Sequence, residues 1–301
     1  MSDERHAPRR ILLIANPVAG GDALAKIHQA REGLAARGDR VELRLTGARG
    51  DAARFAREAK SGDIDLLVAA GGDGTLNEVI NGLAPSALPL AFIPLGTTNV
   101  FALEAGIPFD IPGACRVALN GAATPVSLGL AGETRFLLMA GAGFDAEVVR
   151  RVDLRLKRRL GKLAYGISGL RVFFGPPFPP IEVELEDGSL LSGHTVVIGN
   201  GRLYGGRFSL TPGASLSDDI FEVCLLRKPG RWSLLHALLR MVLHLPLEPA
   251  GACLFKAREL TVRGAGVAVQ IDGDDHGELP MSFRVVPGEL VLIMPGVAGT
   301  P

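Results

Sequence analysis

Apolar positions in the first third of the chain alternate between two rhythms. ILLIAN (11–16) and IDLLVAA (64–70) are short runs with no polar face, as buried strands of a parallel sheet require. DALAKIHQAREGLAARG, ending at Gly38, and GDAARFAREAK carry helical spacing. VELRLT and LPLAFIPLG add two strands. Leu76, Val79, Ile80 and Leu83 recur at i, i+3, i+4 and i+7, one apolar helix face. Thr75 followed by Glu78 is a capping-box pattern and predicts that this helix starts at Thr75. The order predicts a doubly wound, right-handed parallel α/β sheet over residues 1–123. Ligands of such sheets bind beyond the carboxyl ends of the strands.

From residue 124 strand-like runs dominate: PVSLGLA, TRFLLMAGAGF, PIEVELED, HTVVIGN, DIFEVCLLR, ARELTVRG, VAVQIDG and SFRVVPGELVLIMP. EDGS at Glu186–Ser189 is a hairpin signal. The expectation is a second domain, residues 124–301, built as an antiparallel β-sandwich. Two helices interrupt it, near 146–174 and 231–245. Trp232 reads as an anchor at the start of the second.

Composition narrows the class. Of 301 residues, 47% are hydrophobic and 21% charged, which fits a folded globular chain. Lys plus Arg equals Asp plus Glu, 32 each, so no global basic field marks a nucleic-acid binder. Cys115, Cys224 and Cys253 are far apart and lack metal spacing; they read as reduced, buried thiols. The polar N-terminus and the lack of any uncharged apolar run near ~18 residues predict a cytoplasmic chain without a membrane span. His236 and His244 have no third ligand nearby and read as surface or packing residues.

Glycine is in excess, 39 residues, and its loops follow strands. NPVAGG (Asn16–Gly21) follows the first strand, Thr46 ends the second, GGDGT (Gly71–Thr75) follows the third and PLGTTN (Pro94–Asn99) the fourth. All four meet at one sheet edge. Neither a P-loop lysine motif nor G-x-G-x-x-G is present. A phosphate loop that holds Asp73 in place of a lysine needs other neutralisation, and a divalent metal bound by Asp73 directly or through water is the obvious one. Read alone, GGDG is equally a plain strand-to-helix turn, and IDGDDHG an acidic hairpin turn.

These stretches, with GAGFDAEVV, IGNGRLYGGRFSLTPGASLSDDIFEV and VQIDGDDHGELPMSFRVVPGELVLIMP, resemble in order the diacylglycerol kinase catalytic-domain superfamily, which includes bacterial lipid kinases and sphingosine and ceramide kinases. The resemblance runs from Arg10 to Pro295. It implies a kinase that uses ATP and Mg2+ to phosphorylate the hydroxyl of a diacylglycerol-like lipid. By matched position it puts nucleotide contacts on Asn16, Pro17, Gly20, Thr46, Gly71, Gly72, Asp73, Gly74, Thr75, Asn77 and Thr97. The family's structural magnesium site falls on the Asp218 carboxylate with the carbonyls of Ser215 and Ile220. The general base falls on Asp274, where the family's D-G-E reads D-G-D (Asp272, Gly273, Asp274); some members credit the GGDG acid, here Asp73. Asp274 is one methylene short, and a misplacement near 1 Å costs ~100-fold. Val100 stands where many members carry Asp. Val149 stands near where sphingosine kinases carry an acid for the lipid amine, which argues against that substrate, although Asp145 and Glu147 lie close by. Two alternatives stay open. One is a soluble NAD kinase-like enzyme, opposed by NPVAGG and YGGRFSLTP; the other is a non-catalytic nucleotide- or lipid-binding protein.

A lipid substrate implies contact with a membrane. Arg151, Arg155, Arg158 and Lys162 form a basic helical stripe beside Val152, Leu156, Leu160 and Leu163, expected to dock on anionic lipid. A solvated surface helix would show the same spacing. A homodimer stays open.

Overall fold

The first sheet is parallel, and its central strands, over 11–15 and 66–71, are buried on both faces. The structure, a computed structural model, describes residues 8–152, 163–175 and 178–296. Strands β1 (Arg10–Ala15), β2 (Arg40–Leu45), β3 (Leu66–Gly71) and β4 (Ser86–Pro94) pair in parallel in the order β2-β1-β3-β4. Helices α1 (Ala23–Ala35), α2 (Asp51–Ala59) and α3 (Asp73–Leu83) connect them, and α4 (Val100–Ala105) and α5 (Ile111–Asn120) follow. Every residue of β3 is buried, which its all-apolar run anticipates.

Helix α3 starts at Asp73, two residues ahead of the Thr75 start that the capping-box pattern predicts. Its N-cap is Gly72, which has no side chain to cap with. Glu78 does not reach back along its own helix. It accepts a hydrogen bond from Gly50 N at 2.9 Å, beneath the N-terminus of α2. The acid thus serves a neighbouring helix end, where the dipole also favours it.

The second unit begins within β5 (Ala122–Ala131) and continues through β6 (Thr134–Phe136), β7 (Met139–Ala142) and α6 (Phe144–Arg150). Next come α7 (Leu163–Phe173), β8 (Ile181–Leu185), β9 (Leu190–Gly193) and β10 (Thr195–Gly199). After a small pair, β11 (Leu203–Tyr204) and β12 (Phe208–Ser209), stand β13 (Phe221–Leu226), α8 (Arg231–Val242) and β14 (Ala252–Ala257). The chain closes with β15 (Glu259–Arg263), β16 (Ala268–Ile271), β17 (Asp274–Glu278) and β18 (Met281–Met294). One antiparallel sheet runs β14-β13-β10-β7-β16-β17. The other pairs the start of β18 with β15, β15 with β8, and β8 with β9. Side chains from both meet in one core around Phe136, Phe221, Val183, Leu260 and Phe283, so the unit is a β-sandwich.

By compactness the chain crosses between the two units after Val126 and after Gly288. The end of β18 belongs to the first unit: Leu290 pairs with Ser86 and Leu292 with Leu90, parallel to β4. Its apolar run is the same in either sheet, so nothing local marks the return. The long helix expected near 146–174 is described as α6 and α7; the stripe residues Arg155, Leu156, Arg158, Leu160 and Lys162 lie outside the described residues. Trp232 is 82% exposed and does not anchor its helix to the core. No helix among the described residues is long and apolar enough to cross a membrane.

Backbone contact fixes α3 against α2. A Cβ on Gly82 would lie 2.1 Å from the Ala53 carbonyl oxygen, whereas nothing lies within 4 Å of one on Gly74. Gly82→Ala is therefore expected to destabilise the protein by about 1–3 kcal/mol or more in urea unfolding. Gly74→Ala on the same helix should be neutral or gain up to about 1 kcal/mol.

Candidate active site

Three glycine loops interlock at the carboxyl ends of β1, β3 and β4. Gly71 O accepts hydrogen bonds from Leu95 N (2.8 Å) and Gly96 N (3.2 Å). A Cβ on Gly96 would come within 2.9 Å of Gly72 Cα, and one on Gly20, whose φ is +87°, within 2.4 Å of the Leu95 carbonyl. NPVAGG, GGDGT and PLGTTN are thereby in direct contact. Asn16 N donates to Ala70 O (2.9 Å), and the Asn16 amide donates to Thr75 Oγ1 at 3.3 Å. Thr46 N donates to Ala15 O, which puts the end of β2 on the same edge. Thr97 and Gly74 are exposed, Pro17 is half-buried, and the Asn77 carbonyl oxygen of the side chain accepts from Asn81 (2.6 Å). The open space at Gly74 leaves the first turn of α3 approachable, and helix N-terminal N–H groups attract phosphate oxygens.

Asp73 has a structural task that its motif does not reveal. Its carboxylate accepts from Val100 N (3.0 Å) and Phe101 N (3.2 Å), the first two donors of α4. Asn99, the N-cap of α4, sits at φ 47° and makes no side-chain cap. Its amide nitrogen instead donates to Gly96 O at 2.6 Å. Asp73 replaces that cap from 27 residues away. Burial raises the Asp73 pKa, and the backbone donors oppose that rise. Asn99 was not singled out from sequence. Its Oδ1 is buried without a protein partner, between Gly96 and Gly72, and the one local signal is an Asn ahead of an apolar helix.

In the second unit, Asp272 and Gly273 form the two-residue turn between β16 and β17. Both have positive φ, 46° and 84°, and Ile271 pairs with Asp274. This is the geometry that favours an Asp-Gly hairpin. The Asp272 carboxylate accepts from Leu137 N (2.7 Å), Leu138 N (2.9 Å) and Met139 N (3.0 Å), so it holds the turn to β7. Asp274 heads β17 and is exposed.

A second support lies behind that turn. Gln270 Oε1 accepts from Gly273 N (2.8 Å), and Gln270 Nε2 donates to Asp145 Oδ2 (3.0 Å). Asp145 is 5% exposed, and its Oδ1 has no partner. Burial pushes its pKa up to about 6, against the opposing bonds from Gln270 and the Ala146 N–H. The Tyr204 phenol is raised by burial first and the Asp145 charge second. Neither Asp145 nor Gln270 had been assigned a role from sequence, because their link spans 125 residues.

The candidate magnesium residues share one turn. Asp218 N donates to Ser215 O at 3.0 Å, leaving that carbonyl a second lone pair. The half-buried Asp218 carboxylate accepts no hydrogen bond from the described residues. One carboxylate and two carbonyls are hard oxygen donors of the kind magnesium takes, with water completing the set. No group of three His, Cys, Asp or Glu gathers among the described residues, so this turn is a sparse site.

The buried Asp145 gives a pH signature. Its folded pKa, about 6, lies above the ~3.9 of an unfolded Asp. The folded state therefore holds the proton more tightly, and the stability tied to it is lost as pH rises from about 4 through 6. Asp145→Asn should match the parent near pH 4 and exceed it by on the order of 2 kcal/mol at pH 8, read from urea unfolding at both pH values.

Comparison with known proteins now bears on these two halves. Residues 10–131 match the model of the diacylglycerol kinase catalytic domain, and residues 139–294 match the YegS C-terminal NAD kinase beta sandwich-like domain. A protein of Bacillus subtilis (strain 168) named diacylglycerol kinase is 33% identical over 295 residues, covering 95% of this chain and 97% of its own. A Pseudomonas putida protein named "Probable lipid kinase YegS-like" is 36% identical over 273 residues, 87% of each chain. The crystal structure of a candidate diacylglycerol kinase from Bacillus anthracis str. Sterne superposes with a TM-score of 0.83 at 27% identity, covering 98% of both chains. Matched in order along nearly its whole length, the chain belongs to the diacylglycerol kinase family.

Proposed function

We propose that this kinase transfers the γ-phosphoryl group of ATP to the hydroxyl of a diacylglycerol-like lipid at the cytoplasmic face of a membrane. The observation that carries the reading is the convergence of NPVAGG, GGDGT and PLGTTN through backbone contacts at one sheet edge, in a chain whose relatives are named diacylglycerol and lipid kinases. The loops offer phosphate oxygens backbone N–H groups, the first turn of α3 and the polar side chains of Asn16, Thr75 and Thr97. None of these three loops contains Lys or Arg. Magnesium bound with the nucleotide at these loops would supply the missing positive charge; Asp218 with the carbonyls of Ser215 and Ile220 would hold the family's structural ion within the second unit.

In the transfer, the lipid oxygen bonds to the γ-phosphorus while the bond from that phosphorus to the β–γ bridging oxygen breaks. Asp274 accepts the hydroxyl proton, and ADP leaves. Asp274, exposed at the head of β17, is taken as the base; Asp73, whose oxygens both hold α4, is the alternative. The lipid is taken to carry no amine beside its acceptor hydroxyl: Val149 carries no charge, and neighbouring Glu147 is paired with Arg150 (2.6 Å) and Arg151.

Lipid extract and labelled ATP test the reading. A phosphorylated glycerolipid is expected. Asp274→Asn should lower turnover by about 10²- to 10⁴-fold with an unchanged unfolding midpoint, while Asp274→Glu stays active. Robust conversion of NAD to NADP would overturn the lipid acceptor. ATP binding without lipid turnover would leave only a binding protein. Full turnover in both Asp274→Asn and Asp73→Asn would overturn the carboxylate mechanism.

A further inference from the structure

Helix α8 is apolar on two opposite sides. Inward, Ala237 and Met241 are buried, and Met241 packs in a small core with Cys224, Leu247 and Ala252. Outward, Trp232, His236, Leu239 and Leu243 are exposed, at intervals of 4, 3 and 4 residues. That spacing is one helical stripe. A surface helix of a protein that meets only water carries polar residues there. Val242 and Leu245, 52% and 45% exposed, widen the stripe.

The end of α7 joins this surface. Arg231 Nη2 donates to Gly175 O (2.9 Å) and Phe174 O (3.3 Å), so the first residue of α8 ties down the chain after α7. Phe174 and Leu170 are 68% and 62% exposed. A pocket of about 270 Å3 opens at the junction, lined in part by Phe173, Phe178 and Trp232 with Lys228 and Arg231. Among the described residues twelve large hydrophobics are exposed, and seven of them lie on these two segments. Such clustering departs from the scattered exposure of an ordinary surface.

The charge of the surface is one-sided. Residues 223–247 contain no Asp or Glu and carry Arg227, Lys228, Arg231 and Arg240. Arg171 adds an exposed cation on α7.

We propose that this face of α8, with the end of α7, is the surface by which the protein docks on an anionic lipid bilayer. The cations complement lipid phosphates, the stripe enters the boundary of the acyl chains, and Trp232 sits at headgroup depth. A second copy of the chain is a poorer occupant, since a two-fold contact would bring like charges together. The reason for docking rests on the lipid-kinase reading; the surface itself rests on exposure and charge.

Trp232 is the single tryptophan of the chain, so its fluorescence reports this surface alone. The full chain is titrated with phosphatidylcholine vesicles, with and without phosphatidylglycerol. Expected are a blue shift with the anionic vesicles, quenching by brominated acyl chains and reversal by salt. Lys228→Gln and Arg231→Gln should each weaken partitioning about fivefold. Leu239→Glu should weaken it tenfold or more, reducing turnover of vesicle-embedded diacylglycerol and leaving that of a dispersed short-chain form unchanged. Sedimentation with vesicles at unshifted Trp232 emission would overturn the proposal. So would unaltered binding of Leu239→Glu, or a dimer that this substitution disrupts in a protein that binds no vesicle. A shifted emission without phosphorylation of any lipid would uphold the surface and sink the kinase reading.

Discussion

The carbonyl of Gly71 governs the first unit. It takes hydrogen bonds from Leu95 N and Gly96 N, which draws the end of β4 against the end of β3. The approach is so close that Gly72 and Gly96 meet backbone to backbone, and Gly20 closes from β1 onto Leu95. A Cβ at Gly96 or Gly20 would separate the loops, so part of the glycine excess is explained by contact and not by flexibility. Tight packing leaves the N-terminus of α4 facing the GGDG loop. Asp73 is the acceptor that satisfies it. An acid in a loop proposed to hold phosphate looks electrostatically wrong until this structural duty is counted. A lysine there would leave two helix N–H groups without an acceptor, a cost of about 1–3 kcal/mol for each one buried.

The second unit repeats this use of a carboxylate. Asp272 collects three backbone N–H groups of the Leu137–Met139 segment, and Gln270 holds Gly273 from behind. Of the acids in D-G-D, the first is therefore turned to structure and the second stands exposed at the head of β17. This bears on the missing methylene of Asp274. A turn pinned by four hydrogen bonds does not shift freely, so in the proposed transfer the shorter side chain would have to be accommodated by the substrate's position or by an intervening water. Rigidity of the turn and shortness of the acid would then act together on that one step.

Local patterns made much of this legible. The buried runs of β1 and β3, the apolar face of α3 and the strand-to-loop order all follow from spacings within a dozen residues. The partners of the polar groups did not, because each is set by folding. Asp73 meets residues 27 and 28 positions away, Glu78 serves Gly50 instead of its own helix, and Gln270 reaches Asp145 across 125. The end of β18 reads as sandwich strand and lies beside β4, since an apolar strand fits either sheet. Leucine spacing in α8 revealed a helix without revealing which side the core would cover, and Trp232 falls on the uncovered one.

Charge shows the same difference between global and local information. The chain balances 32 cations against 32 acids, which removes the long-range field that a nucleic-acid binder presents. A bilayer is sensed differently. At physiological ionic strength fields fade within about 8 Å, so a docking protein responds to the charge of the touching surface and not to the total. Residues 223–247 hold four fixed cations and no acid within a chain of zero net charge. The balancing acids lie elsewhere along the chain, some of them capping helices and holding turns, as Asp73 and Asp272 do. Sequestering acids in structural duties leaves a neutral protein with a cationic apolar face on α8, which is what the proposed docking on an anionic membrane requires, without the global field that would make it adhere to every polyanion it meets.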